Sequence, residues 1–206
     1  MDDDLPPARL VDLAFPLAGR ALPRDHRAAL AAALLEQLPW LDQAPGAGLH
    51  RLHGVSNVGA QVLLSARARL LLRLPRERAG EATAALAGAT LEVAGESLRL
   101  GAAVTREMLP HCTLYAHFVA APDGDEAAFM TMVEAELRTL GVVCRPVCGR
   151  HQSLPCDGGA LQGFSLMLDG LKPADALRVL ESGVGVRRAL GCGLFVPHRS
   201  AAAVGA

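Results

Sequence analysis

Three histidines and three sets of arginines are the side chains here whose types and spacing could do chemistry. His26, His50 and His53 fall within 28 residues near the start of the chain. Imidazole titrates near neutral pH, so two of them can take a proton at one atom and deliver one at another. Arg24 and Arg27 flank His26, and Arg67 and Arg69 follow. Near the C-terminus, Gly183-Val184-Gly185-Val186-Arg187-Arg188-Ala189-Leu190-Gly191-Cys192-Gly193 sets two adjacent arginines between glycine pairs. Guanidinium forks match phosphate oxygens, and glycines leave room for an approaching backbone. Gly183, Gly185, Gly191 and Gly193 with Arg187 and Arg188 therefore read as a loop that offers backbone N–H groups and cations to phosphate. A helix precedes this loop and a strand, Leu194 to Val196, follows. Rossmann and P-loop glycines have the opposite order, so a nucleotide cofactor is disfavoured.

Other candidates read as structural. Cys144, Cys148, His151 and Cys156 could present four ligands, but no CxxC knuckle is present and no metal or other cofactor is expected. His111, His117 and His198 carry no partner pattern. A count of five cysteines, being odd, argues against a disulfide framework and for small buried thiols in a reducing compartment.

The elements that must position these residues follow from periodicity. Residues 8–17 read as a strand ended by Pro16 and Gly19. Pro23 and Asp25 then open a helix whose apolar row is Leu30, Leu34, Leu38 and Leu41, with His26 in its first turn. There the positive end of the helix dipole would favour a neutral imidazole. Residues 42–60 read as a long connection carrying His50, Arg51 and His53. From Ala66 to Leu74 the even positions are apolar, and Arg67, Arg69 and Arg73 share the other face of a strand. A helix over about 75–86 precedes strands over 91–93 and 97–104, joined in a hairpin at Ala94-Gly95-Glu96. After Pro110 the order begins again: a strand over 113–120, a helix over 125–140 capped by Gly141, strands near 142–147 and 164–168, a helix over 173–182 and a last strand. The second half reads strand-helix-strand-strand-helix-strand, the ferredoxin-like order. The expectation is an α+β chain of two tandem modules, 1–108 with the histidines and 109–206 with the glycine loop.

Composition bounds the rest. The 206 residues are 51% hydrophobic, with mean hydropathy +0.27, and no apolar run reaches the ~18 residues of a membrane helix. The acidic Met-Asp-Asp-Asp start lacks the order of a signal peptide, so a globular cytoplasmic protein without membrane contact is expected. Net charge is −1 and pI about 6.6, so any nucleic-acid contact must come from clustered arginines. All 20 basic residues are arginine except Lys172, and arginine suits bidentate phosphate contact. Aromatics, at 3%, are too few for a base-stacking platform.

These stretches together resemble a known family. The run RRALGCGLFVPH after Gly185 is similar to the glycine-rich loop of the RAMP superfamily of CRISPR proteins, and within it to the crRNA-processing Cas6 endoribonucleases, MYXAN subtype. LPRDHRAALAAALLEQLPWL from Leu22 and GLHRLHG from Gly48 sit where that family has its first helix and a histidine-bearing loop; TLYAHFVAA resembles the strand opening its second half. The resemblance implies cleavage of CRISPR repeat RNA without a metal. In that reaction the 2′-hydroxyl attacks, with His26, His50 or His53 as base and acid, and arginine stabilises the charge. Implied partners are the repeat RNA, the crRNA product and other CRISPR effector subunits. The family often uses a lysine, which is missing near these motifs, so the cationic role passes to arginine. Two other functions fit the same residues: a non-catalytic RAMP-type RNA-binding subunit, and a ferredoxin-like protein binding a small phosphate compound at the glycine loop.

Overall fold

The computed structural model describes residues 6–121, 124–156 and 159–198, with the side chains of residues 53 and 57 outside that description. Two compact units share the chain. The first comprises Arg9–Glu107 together with Ala189–Gly191; the second comprises the described residues of Met108–Arg188 with 192–198 and 6–8. Each is built on one antiparallel sheet.

The first unit runs β1 (Leu10–Ala18), β2 (Ala21–Pro23), α1 (Arg27–Gln37), β3 (Gly48–Leu49), β4 (His53–Val58), β5 (Gln61–Pro75), α2 (Ala79–Leu86), β6 (Thr90–Val93), β7 (Glu96–Leu100) and β8 (Val104–Arg106). Strand β5 is its spine. It pairs with β1 and then β2 along one edge and with β3 and β4 along the other, and β1 carries the sheet on to β7 and β6. The even positions Ala68, Leu70, Leu72 and Leu74 are fully buried, and Leu30, Leu34, Leu38 and Leu41 join the same core. Each large side chain removed from water in this way contributes roughly 1.5–3 kcal/mol.

Tertiary pairing moved several expected boundaries. Helix α1 starts at Arg27 rather than Pro23, because Leu22 and Pro23 are taken up as strand partners of Val62 and Gln61. The expected connection over 42–60 holds two strands, since β5 runs for 15 residues and supplies edge to pair with them. The strand expected over 97–104 breaks at Gly101, whose N–H donates to the Pro16 carbonyl, and resumes as β8. The 94–96 hairpin is present, with Ala94 and Gly95 at φ 53° and 83°, as a two-residue turn requires.

The second unit runs β9 (Thr113–Ala120), α3 (Glu126–Thr139), β10 (Arg145–Cys156), β11 (Gly159–Asp169), α4 (Pro173–Ser182) and β12 (Val196–Pro197). Its sheet order, β10-β11-β9-β12, is the ferredoxin-like one. Asp125 caps α3 by accepting the Ala128 N–H at 2.8 Å, and Phe129, Val133 and Leu137 are buried along one face. Strands β10 and β11 form a ladder of 12 and 11 residues, far longer than apolar runs alone suggest, because their outer halves are polar. No described helix is long and apolar enough to cross a membrane.

Candidate active site

His26 and His50 meet in the first unit. They line one recess with Arg27, Leu30, Leu49, Arg51, Leu52 and Leu190. His26 stands immediately before α1, at its N-cap position, rather than within its first turn. The residue is 8% exposed, and Nδ1 lies 2.8 Å from the Pro23 carbonyl oxygen. A carbonyl only accepts, so Nδ1 carries the proton and Nε2 the lone pair. Burial, with the Arg27 charge beside it, pushes the imidazole below its ordinary pKa, while the Pro23 contact and Asp25 pull the other way. Desolvation therefore does what the sequence reading assigned to the helix dipole. The result is a neutral base at neutral pH.

His50 follows β3 and is 5% exposed. Its backbone N–H donates to Leu71 at 2.9 Å, so β5 fixes the chain on which the imidazole stands. Nε2 lies 3.4 Å from Asp12 Oδ1. Asp12 also receives two hydrogen bonds from Arg73, Nε to Oδ1 at 2.8 Å and Nη2 to Oδ2 at 2.9 Å. Burial would raise the Asp12 carboxyl, but the hydrogen bonds from His50 and Arg73 and their charges override it and hold the group well below the usual carboxylate range. Sequence reasoning missed Asp12. The signal was a lone acid inside LVDLAFPLA, an otherwise apolar strand, where an ionised group needs a partner.

The remaining residues divide by unit. In the first, Arg27 Nη1 reaches toward the Leu190 carbonyl at 3.5 Å, and Arg51 is exposed at the rim. Arg24 and Arg67 are exposed; Arg69 turns back on its own strand, donating to the Ala66 and Ala68 carbonyls at 3.2 and 2.8 Å. The strand face expected to be basic is therefore mixed, for Arg73 is buried on Asp12 and only Arg67 stands out into solvent. His53 begins β4 opposite Arg69, and its side chain lies outside the described residues. Gly191 has φ 81° and, with Leu190, packs beside Leu49 and Arg27.

In the second unit the glycine loop is largely self-satisfied. Gly183, Gly185 and Gly193 all have positive φ, as does Arg187 at 66°. The Gly185 N–H donates to Glu136 Oε2 at 2.7 Å, that of Gly193 to the Phe118 carbonyl at 2.8 Å and that of Val184 to Gly193 at 3.1 Å. These donors face protein acceptors, which corrects the expected phosphate cradle of backbone N–H groups. Arg187 is exposed, whereas Arg188 folds back to donate to the Ser182 carbonyl. Among the described residues no three His, Cys, Asp or Glu side chains gather as metal ligands would. Burial pushes the Cys144 and Cys148 thiols up to about 11, aided by Asp175 and Asp169 at the first and Glu126 at the second, so both stay protonated at neutral pH.

The family profile described as Cas6 Crispr matches residues 11–200, nearly the whole of the described chain. The chain belongs to the Cas6 family. A curated relative, the CRISPR-associated endonuclease Cas6 of Myxococcus xanthus, is 40% identical over 195 residues, covering 94% of this chain and 84% of that protein. Solved Cas6-type structures share the fold at low identity. A CRISPR associated protein Cas6 superposes with TM-score 0.67 at 10% identity, over 92% of this chain and all of the other. A Cas6-related protein of Pyrococcus furiosus gives 0.66 at 10% identity, over 91% and 98%. The Thermus thermophilus Cse3 structure, bound to an RNA representing a pre-cleavage complex, gives 0.52 at 16% identity, over 93% and 100%. The α+β fold of this chain, with its ferredoxin-like units, is that of the Cas6 and RAMP proteins.

Proposed function

We propose that this Cas6 protein is a cytoplasmic endoribonuclease that cuts CRISPR repeat RNA by internal attack of the 2′-hydroxyl, needs no metal for it, and remains with the crRNA and other effector subunits. The observation that carries the reading is the meeting of two buried histidines, His26 and His50, at one recess with Arg27 and Arg51. The relative from Myxococcus xanthus is named an endonuclease, and the Thermus thermophilus neighbour holds an RNA, which supports this substrate class. Five cysteines held as thiols suit a reducing compartment.

The chemistry follows from the two imidazoles. His26 Nε2 takes the 2′-hydroxyl proton as the 2′-oxygen bonds to phosphorus; His50, protonated, gives a proton to the 5′-oxygen as its bond to phosphorus breaks. The products are a 2′,3′-cyclic phosphate and a 5′-hydroxyl, and no water is consumed. Arg27 and Arg51 supply positive charge to the phosphorane. In this reading module 1–108 carries the chemistry, while the exposed Arg187 of module 109–206 serves RNA binding and Arg188, drawn to the Ser182 carbonyl, braces the loop.

The test is single-turnover cleavage of a repeat hairpin in EDTA, with and without one 2′-deoxy nucleotide upstream of the scissile phosphate. Cutting of the ribose substrate alone is expected. Cutting of the deoxy substrate would replace internal attack by activated water, and binding without cutting would favour the non-catalytic RAMP subunit.

A further inference from the structure

The ion pair behind His50, a buried Arg73 on a half-buried Asp12, has no part in the proton transfers. Arg73 is 1% exposed, the first among the fully buried side chains by size, and it lies directly opposite Asp12 in the β1–β5 register. Its neighbours Leu13, Leu72 and Leu74 are core residues. A buried ion pair is seldom more stable than two apolar side chains of similar volume, so stability gives little reason for a charge at this place. Geometry gives a better one. Arg73 grips both Asp12 oxygens, and Oδ1 is turned toward His50 Nε2 at 3.4 Å.

We propose that Asp12 is a positioning residue for His50: held by Arg73, its carboxylate accepts the Nε2–H, orients the ring, and leaves Nδ1 as the nitrogen that exchanges the proton with RNA. This rests on the reading of His50 as the proton donor. The carboxylate stays ionised far into the acid range, so it can only accept and never competes for the proton. It steadies the imidazolium before transfer and holds the neutral Nε2–H form afterwards. The other charged groups around His50 and Asp12 are His26, Arg27 and Arg51 at the recess and Arg106, opposite Asp12 on β8. All the arginines disfavour the imidazolium, whereas the Asp12 carboxylate supports it.

The experiment is a double-mutant cycle of single-turnover cleavage from pH 5 to 9 with the parent, Asp12→Asn, His50→Ala and the pair. Asp12→Asn is expected to slow cutting ~10–100-fold, by comparison with carboxylate partners of metal-bound histidines, and to move the alkaline limb to lower pH. In the His50→Ala background the same change should cost no more than about twofold. Equal losses in both backgrounds, an unmoved limb, or a His50→Ala variant that cuts at the parental rate would each overturn the proposal. Asp12→Asn leaves Arg73 without its carboxylate, so ¹⁵N NMR of the parent protein provides a reading independent of that variant's folding. The Nε2–H tautomer of His50 is expected, and the Nδ1–H tautomer would refute the contact. A parent that cuts no RNA would instead sink the endoribonuclease reading, and the tautomer would still decide the Asp12 contact.

Discussion

Gly191 passes so close to Leu49 that a Cβ on it would stand 2.9 Å from the Leu49 carbonyl oxygen. That oxygen belongs to the backbone just before His50, so it cannot yield without moving the candidate acid. Gly191→Ala should therefore slow single-turnover cleavage at least ~10-fold, since a misplacement near 1 Å can cost ~10²-fold. Gly88 is the control, for it has φ 79° and nothing within 4 Å of an added Cβ. Gly88→Ala should carry the left-handed strain, roughly 1–2 kcal/mol, and cut at the parental rate. Equal effects on cutting would remove Gly191 from the site.

The sequence made the histidines visible and hid what holds them. Periodicity located α1, α3 and α4 because Leu30 and Leu34, Phe129 and Val133, and Ala176 and Leu180 repeat at helical spacing on one buried face. Strands β3 and β4 lay in a stretch rich in glycine, proline and asparagine, where only a long partner such as β5 makes strand the better choice. Asp12 and Arg73 are 61 positions apart, and no local pattern joins them. Conversely, the arginines of β5 looked equivalent at alternate positions, yet one is buried on Asp12, one turned back on its own carbonyls and one exposed.

His26 sets a pH window. Its folded pKa is lowered, chiefly by burial, while the unfolded imidazole binds its proton near 6.5. Between these values the unfolded chain holds more protons, so stability from this group is complete above about pH 6.5 and is lost as pH falls below it. The urea midpoint should drop from pH 7.5 to 5.5, and less so in His26→Asn. Asp12 also has a lowered pKa, but its window lies below the ordinary carboxylate range and leaves this interval untouched. Identical pH dependence in parent and variant would show that His26 is not the titrating group. The same variant should cut ~10²–10⁴-fold more slowly.

Arg67 and Arg73 share a strand face and should respond in opposite ways. Arg67→Ala removes an exposed cation, so stability should stay within about 0.5 kcal/mol while the slope of log affinity against log salt falls by ~1 if it meets a phosphate. Arg73→Met strands the Asp12 carboxylate in the sheet and should cost about 3–5 kcal/mol in urea unfolding. Adding Asp12→Leu should recover most of that loss, because the uncompensated charge is then gone. A double variant no more stable than Arg73→Met would mean that packing, not charge, sets the cost.

The adjacent arginines of the glycine loop divide along the same line. Arg187 is exposed at φ 66°, a conformation costly for any side chain, and Arg188 is drawn inward to the Ser182 carbonyl with its Nε buried and without a hydrogen-bond partner. Burial lowers the Arg188 pKa, with Glu136 opposing, which marks a guanidinium partly withdrawn from water. Arg187→Ala should flatten the salt slope of RNA binding by ~1 with little change in melting temperature. Arg187→Gly should match it in slope and melt higher, since glycine adopts that φ without strain. Arg188→Ala loses a charged hydrogen bond worth roughly 1.5–3 kcal/mol, partly offset by release of the unsatisfied Nε, and should show in the melting temperature more than in the slope. Filter binding across a salt series and thermal melts of the three variants measure both quantities. Equal slope losses for Arg187→Ala and Arg188→Ala would place both guanidiniums on the RNA.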